Sequence, residues 1–159
     1  MDFATADLMD SFTDELVSCE TQFRSYGGVT RFSGPVETVR CHEDNALLRS
    51  TAETPGAGRV LVVDGGGSLR SALLGDMIGA SAVASGWSGV VIYGAVRDVA
   101  ALRGLSLGVK ALGSNPRRSA KDGRGEVGVP VSFGEAEFRP GMWLYSDEDG
   151  IVLATRDLL

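Results

Sequence analysis

The chain has 159 residues, and its 15 Lys+Arg against 21 Asp+Glu leave a formal net charge of −6, which argues against a general nucleic-acid binder that needs a basic face to displace counterions. A single histidine, His42, excludes H-E-x-x-H zinc chemistry. The two cysteines, Cys19 and Cys41, have neither C-x-x-C spacing nor a disulfide framework, so a reducing cytoplasm and a single domain over residues 1–159 are expected.

The first twenty residues hold six acids and no base, unlike a secretory signal, and no apolar run approaches the ~20 residues of a bilayer span, so no membrane association is expected. Thr5 is placed to cap a first helix, whose apolar Leu8, Met9, Phe12 and Leu16 recur at helical spacing. Tyr26-Gly27-Gly28 interrupts that pattern. Two β-type runs follow, at residues 29–33 and 36–41, separated by Gly34-Pro35. Residues 45–52 predict a short helix ended by the turn at 55–58. Residues 59–63 form a continuous apolar strand of the kind buried on both faces. A loop at 64–67, a short strand at 72–74 and a small-residue helix at 76–85 come next, with Gly86 as the stop. A second buried strand at 90–93, a helical turn at 99–103 and a third strand at 106–111 complete an α/β pattern. Residues 113–126 read as a polar loop carrying Arg117, Arg118, Lys121 and Arg124. The runs 127–133, 136–138, 143–146 and 151–154 then alternate with turns, as an antiparallel β tail does. The expected fold is a central α/β layer with a second β layer in one domain.

Glycine is enriched, at 22 residues, and two glycine-bearing loops invite a ligand. Asp64-Gly65-Gly66-Gly67-Ser68 follows a strand, but it lacks the lysine of a phosphate loop. Arg70 stands where a dinucleotide fingerprint needs glycine, so this loop reads as a tight strand exit. Gly75-Asp76-Met77-Ile78 opens a helix. A glycine there admits a ligand to the backbone, and the first-turn N–H groups have no intrahelical partner, so they can seat a carboxylate. The simpler alternative is that Asp76 only caps the helix. Arg97-Asp98 lies just past a strand's carboxyl end, where α/β sheets bind ligands, and combines an anion clamp with a cation ligand. A plain surface ion pair is its simpler alternative. His42 beside Cys41 on a strand points to the opposite face, which disfavours a nucleophilic pair. Asp147-Glu148-Asp149-Gly150 reads as a hairpin turn, and Trp87 and Trp143 as core or subunit-interface residues. The cations at 117–124 fit a solvated loop or an anionic partner.

Gly75-Asp76-Met77-Ile78 followed by Gly94-Ala95-Val96-Arg97-Asp98 resembles the regulator of ribonuclease activity A (RraA) family, relatives of the class II 4-hydroxy-4-methyl-2-oxoglutarate aldolases. Val62-Val63-Asp64-Gly65-Gly66-Gly67, residues 111–117 and residues 145–151 extend the resemblance over nearly the whole chain. It implies an α/β fold of the β/β/α "swivelling" type, assembled as a homotrimeric ring with the active site between subunits. It implies that backbone N–H groups of Gly75, Asp76, Met77 and Ile78 hold the pyruvyl carboxylate. Arg97 would contact the pyruvyl oxygens, Asp98 would hold Mg²⁺ or Mn²⁺ largely through waters, and Asp76 would orient a water near the carbon that gains a proton. Nothing in the chain resembles an S-adenosylmethionine site.

The implied function is a divalent-metal-dependent lyase that cleaves 4-hydroxy-4-methyl-2-oxoglutarate to pyruvate, with a secondary oxaloacetate decarboxylase activity, acting on small 2-oxo acids. Ala101, where the family's aldolases carry an acid, and the end of the chain at Leu159 point toward the regulator branch. The alternative is therefore a non-catalytic regulator that binds ribonuclease E and restrains RNA turnover, using the charged loop at 117–124 and no direct nucleic-acid contact.

Overall fold

Runs of β-branched and aliphatic residues build the centre of the protein, which a computed structural model describes over residues 2–159. In chain order the first elements are α1 (Thr5–Ser11), β1 (Val17–Cys19), β2 (Arg24–Ser25), β3 (Phe32–Arg40) and α2 (Ala46–Ala52). There follow β4 (Val60–Asp64), β5 (Ala72–Leu74), α3 (Asp76–Ala84), β6 (Gly89–Val96), α4 (Val99–Leu102) and β7 (Gly108–Ser114). The last are β8 (Glu126–Val127), β9 (Val131–Phe133), β10 (Ala136–Phe138), β11 (Trp143–Ser146) and β12 (Ile151–Ala154).

One ten-stranded sheet runs in the order β1-β12-β11-β3-β4-β6-β7-β2, with β5 added to β6 and β8 to β3, while β9 and β10 form a separate hairpin. Its middle, β3-β4-β6-β7, is parallel. Parallel strands need crossover connections, which α2, α3 and α4 supply, and such strands are buried on both faces. Thus Val60, Leu61, Val62 and Val63 of β4 are all fully buried. Alternate residues face two different cores. Leu61, Val63, Val90 and Ile92 pack under the helices with Leu48, Ile78, Ala82 and Leu102. Val60, Val62 and Val91 pack against Phe133, Phe138, Leu144 and Leu153 of the β tail. A third cluster lies under α1, around Phe3, Leu8, Tyr145 and Val152. At the foot of the sheet Gly89 and Gly108 leave space for the Phe32 ring, since a Cβ on either would come within 2.4 Å or 2.1 Å of it.

Several sequence expectations are corrected. Residues 29–33 and 36–41 are not two strands. β3 runs through Gly34-Pro35, because the ladder changes partner there: residues 32–35 pair antiparallel with β11, and residues 36–40 pair parallel with β4. Thr5 is not the cap of α1, since Ala4 holds that position. Thr5 instead donates from its backbone N and its Oγ1 to the buried Asp147 carboxylate, both at 2.7 Å, so a carboxylate from far along the chain closes the helix N-terminus. The helix stops at Ser11, and Leu16 lies beyond it. The third strand sits at 108–114, and the expected run 127–133 splits between β8, paired with β3, and β9. The hairpin turn at 147–150 is as expected, joining β11 to β12. Trp87 is buried in the helix-side core, with its Nε1 donating to Thr54 O at 3.1 Å. No helix among the described residues is long and apolar enough to cross a membrane.

Candidate active site

Strand β5 ends at Leu74 and turns through Gly75 into α3, while β6 beside it ends at Val96 and delivers Arg97-Asp98. Arg97 N donates to Leu74 O at 2.9 Å, which locks the two strand ends together. Asp98 adopts a left-handed backbone (φ 56°), a conformation that aspartate tolerates better than most residues. This twist returns its side chain to α3, where Oδ2 accepts the Asp76 N–H at 3.0 Å. That bond holds the Asp98 carboxyl below its usual range; burial opposes it, and the Asp76 side chain and the Arg97 charge add to it. Gly75 is extended, and a Cβ there would lie 2.6 Å from Asp98 Oδ2 and 3.3 Å from Arg97 Cγ. The missing side chain therefore makes room for the neighbouring Arg97 and Asp98 rather than only for a ligand.

Asp98 satisfies one of the N–H groups that open α3. The first intrahelical bond is Gly79 N to Gly75 O, at 3.0 Å, so the N–H groups of Met77 and Ile78 lack an acceptor among the described residues. They open on a cleft of about 120 Å³ that Gly75, Asp76, Met77, Ile78, Arg97 and Asp98 line together. Met77 stands at this cleft with 72% of its surface exposed.

The cleft also holds residues that the sequence reading placed elsewhere or passed over. Asn45 and Arg49 reach it from α2, and Arg118 and Lys121 from the loop at 117–124. Asn45 donates through Nδ2 to Leu73 O at 3.2 Å, while its buried Oδ1 has no partner among the described residues. Nothing in the sequence marked Asn45 as more than a helix boundary. The loop is exposed from 120 to 128, as a solvated loop should be, but its backbone is sewn in: Ala72 N donates to Arg117 O at 2.7 Å, and Asn45 N to Ala120 O at 3.0 Å. The fully buried Asp44 carboxylate accepts the N–H groups of Asp122, Gly123 and Arg124 at 2.9 to 3.4 Å. Burial alone would push the Asp44 carboxyl up, but these backbone donors with that of Ala46 keep it below its usual range.

His42 and Cys41 take no part. His42 is exposed beside Glu43, and burial pushes the Cys41 thiol up to about 12. A thiol held neutral in this way is inert as a nucleophile. No group of three or more His, Cys, Asp or Glu side chains able to hold a metal occurs among the described residues. The donor chemistry here is instead one exposed, ionised carboxylate, Asp98, with open solvent beside it. This suits Mg²⁺ or Mn²⁺, hard cations that keep several waters and need only one or two carboxylates plus substrate oxygens. It does not suit a closed zinc site.

Residues 5–153 match the family model described as RraA-like: Aldolase/RraA. Proteins from two strains of Xanthomonas campestris pv. campestris, each provisionally named 4-hydroxy-4-methyl-2-oxoglutarate aldolase, are 56% identical over 158 residues, covering 99% of this chain and 95% of theirs. A solved structure from Geobacillus kaustophilus, described as an S-adenosylmethionine:2-dimethylmenaquinone methyltransferase, superposes with a TM-score of 0.97 at 48% identity, covering 98% of this chain and 97% of that one. The RNA-processing inhibitor RraA from Thermus thermophilis superposes with a TM-score of 0.96 at 46% identity, covering 100% and 96%.

Proposed function

The chain belongs to the RraA-like aldolase/RraA family, and from that premise we propose that it is a divalent-metal-dependent lyase cleaving 4-hydroxy-4-methyl-2-oxoglutarate to pyruvate, with a secondary oxaloacetate decarboxylase activity. The observation that carries this reading is the single cleft in which the unpartnered N–H groups of Met77 and Ile78 stand with Arg97 and Asp98.

In the cleavage the substrate's 4-hydroxyl gives its proton to solvent water in the open cleft and the C3–C4 bond breaks. One pyruvate leaves, and the bond's electrons pass into the 2-oxo group of the other half as an enolate. That enolate then takes a proton at C3 to give the second pyruvate. Decarboxylation of oxaloacetate yields the same enolate, which is why one site serves both. The Met77 and Ile78 N–H groups, at the positive end of α3, hold the substrate's C1 carboxylate. Arg97, half-buried and fixed by its backbone to Leu74, places a permanent charge against the 2-oxo oxygen, where negative charge develops. Asp98, its carboxylate oriented by the Asp76 N–H, would hold the cation. The bound cation supplies Lewis-acid polarisation of the ketone. Asp76, exposed at the first turn of α3, orients the water that exchanges the proton at C3. No histidine or cysteine is needed.

The family resemblance implies a homotrimer, in which a neighbouring subunit would cover this wall at the exposed Met77. The methyltransferase description of the Geobacillus structure is not carried over, because nothing in the sequence resembles an S-adenosylmethionine site. The regulator alternative is not favoured, and one of the features behind it, the charged loop, has a second use here, since its Arg118 and Lys121 line the cleft. The test is pyruvate release from 4-hydroxy-4-methyl-2-oxoglutarate and oxaloacetate with Mg²⁺. Arg97→Ala and Asp98→Ala should each lose about 10²-fold or more, as for removal of one oxyanion donor. Equal turnover in the wild type and both variants overturns the assignment.

A further inference from the structure

Resting on the lyase reading, we propose that Arg118 and Lys121 form a second anion subsite in this cleft, which takes the distal carboxylate of a dicarboxylic 2-oxo acid and sets the preference for dianions over monoanions. The cleft is lined by four cations, Arg49, Arg97, Arg118 and Lys121, and by two acids, Asp76 and Asp98. That local excess of positive charge stands in a chain whose net charge is −6. Arg49 is engaged with Glu53 at 3.4 Å, whereas Arg97, Arg118 and Lys121 have no carboxylate within 4.0 Å among the described residues. Arg97 is used at the proximal end, which leaves Arg118 and Lys121 without an anion. Clustered unpaired cations repel each other and concentrate anionic ligands in a cleft.

The two cations are presented by backbone that does not swing freely. Arg118 pairs with Ala72 as an isolated extension of β5, while Ala120 N donates to Glu43 O and Ala120 O accepts from Asn45 N, both at 3.0 Å, one residue before Lys121. Asp44 clamps the three amides that follow Lys121. Ala72, the residue paired with Arg118, lies three residues before Gly75 on the same chain, so at ~3.3 Å per extended residue it stands about 10 Å along the strand from Gly75, which opens the carboxylate seat. A five-carbon diacid anchored by its first carboxylate, together with the long Arg and Lys side chains, spans that gap. A monoanionic 2-oxo acid leaves both cations unsatisfied. The subsite thus discriminates by binding and takes no part in bond cleavage.

The experiment uses the purified full chain and two probes, 2-oxoglutarate as dianion and 2-oxobutanoate as monoanion, with affinities read by titration calorimetry in Mg²⁺. The wild type should prefer the dianion by about tenfold or more, as charge-assisted hydrogen bonds imply. Arg118→Ala/Lys121→Ala should abolish that preference and leave 2-oxobutanoate affinity unchanged. Both side chains are exposed, so folding should survive, and thermal unfolding together with partial rescue by Arg118→Lys checks this. In turnover, the double variant should raise KM for 4-hydroxy-4-methyl-2-oxoglutarate about tenfold with kcat nearly unchanged. A preserved dianion preference in the double variant, an equal loss for both probes, or no binding of either probe by the wild type overturns the subsite. If the wild type releases no pyruvate yet shows a dianion preference that the double variant loses, the lyase reading fails and the subsite stands. Turnover with an unaltered preference has the opposite meaning.

Discussion

Replacing Gly75 with alanine isolates the position of one carboxylate from the rest of the fold. The backbone at Gly75 is extended, with φ −133° and ψ −163°, a conformation that alanine adopts without strain. The new Cβ would start 2.6 Å from Asp98 Oδ2, 3.3 Å from Arg97 Cγ and 3.4 Å from Arg97 Nε. Restoring ordinary contact at 3.4 Å requires the Asp98 carboxylate to retreat by about 0.8 Å. The Asp76 N–H bond to Oδ2, 3.0 Å long, then passes the limit of useful hydrogen-bond geometry. Folding should hardly notice, because the displaced atom is the end of an exposed side chain and the loss of a glycine favours the folded state by ~0.4–1 kcal/mol. Catalysis should notice a great deal, since a ~1 Å misplacement of a reacting group costs on the order of 10²-fold. The measurement pairs kcat/KM for pyruvate release in Mg²⁺ with a thermal melt. We expect a loss of about 10²-fold with a Tm within ~3 °C of wild type. Wild-type kcat/KM at wild-type Tm refutes the reasoning, for the carboxylate position would then be irrelevant to the reaction.

Asp98→Asn retains a residue suited to the left-handed backbone but removes the charge, so activity should fall about 10²-fold with only a small loss of stability, whereas Asp98→Ala should add a backbone penalty of roughly 1 kcal/mol in urea unfolding. At Asp147 burial pushes the carboxyl up, but donors from Thr5, Asp149 and Gly150 win and hold it below its usual range. A carboxyl depressed in the folded state stabilises fully above its unfolded pKa of ~3.9 and loses that contribution as pH falls through the lower folded value. Asp147→Asn should therefore lose ~1–3 kcal/mol at pH 7 and show a flatter acid limb below pH ~4 in urea titrations, and an acid limb as steep as wild type would count against this account. Phe138, fully buried and stacked on Phe133 at 4.5 Å, should cost ~3–5 kcal/mol on replacement by alanine, read from the urea midpoint at constant m. Light scattering should return the mass of three chains, and a monomer would remove the neighbouring-subunit wall at Met77.

The central βα units were legible because two-sided burial writes itself into the sequence: the expected strand at 72–74 matches β5, and the helix at 76–85 exceeds α3 by one residue. The meeting of Gly75–Ile78 with Arg97-Asp98 in one cleft was legible for a related reason, since both segments lie immediately past such strands, whereas the roles proposed for them come from the family resemblance. What escaped depends on partners distant in sequence. Pro35 reads as a break, and only the exchange of β11 for β4 across it keeps β3 continuous. β1 and β2 are two or three residues long and exist through their register with β12 and β7. Arg118 and Lys121 reach the cleft through backbone bonds to Ala72 and Asn45, and no local pattern announces such bonds. Asp147, read as part of a turn, also caps a helix that begins 142 residues earlier.

The continuity of β3 has a consequence for how the molecule comes apart. Its first half is held by the antiparallel tail and its second by the parallel core, so one covalent strand is a member of both layers. Neither layer can open without withdrawing a partner from the other. The two layers thus share one cooperative unfolding unit, and amides on either side of Pro35 should exchange with deuterium at a common, near-global free energy. A cut at the β tail should leave no stable parallel remnant.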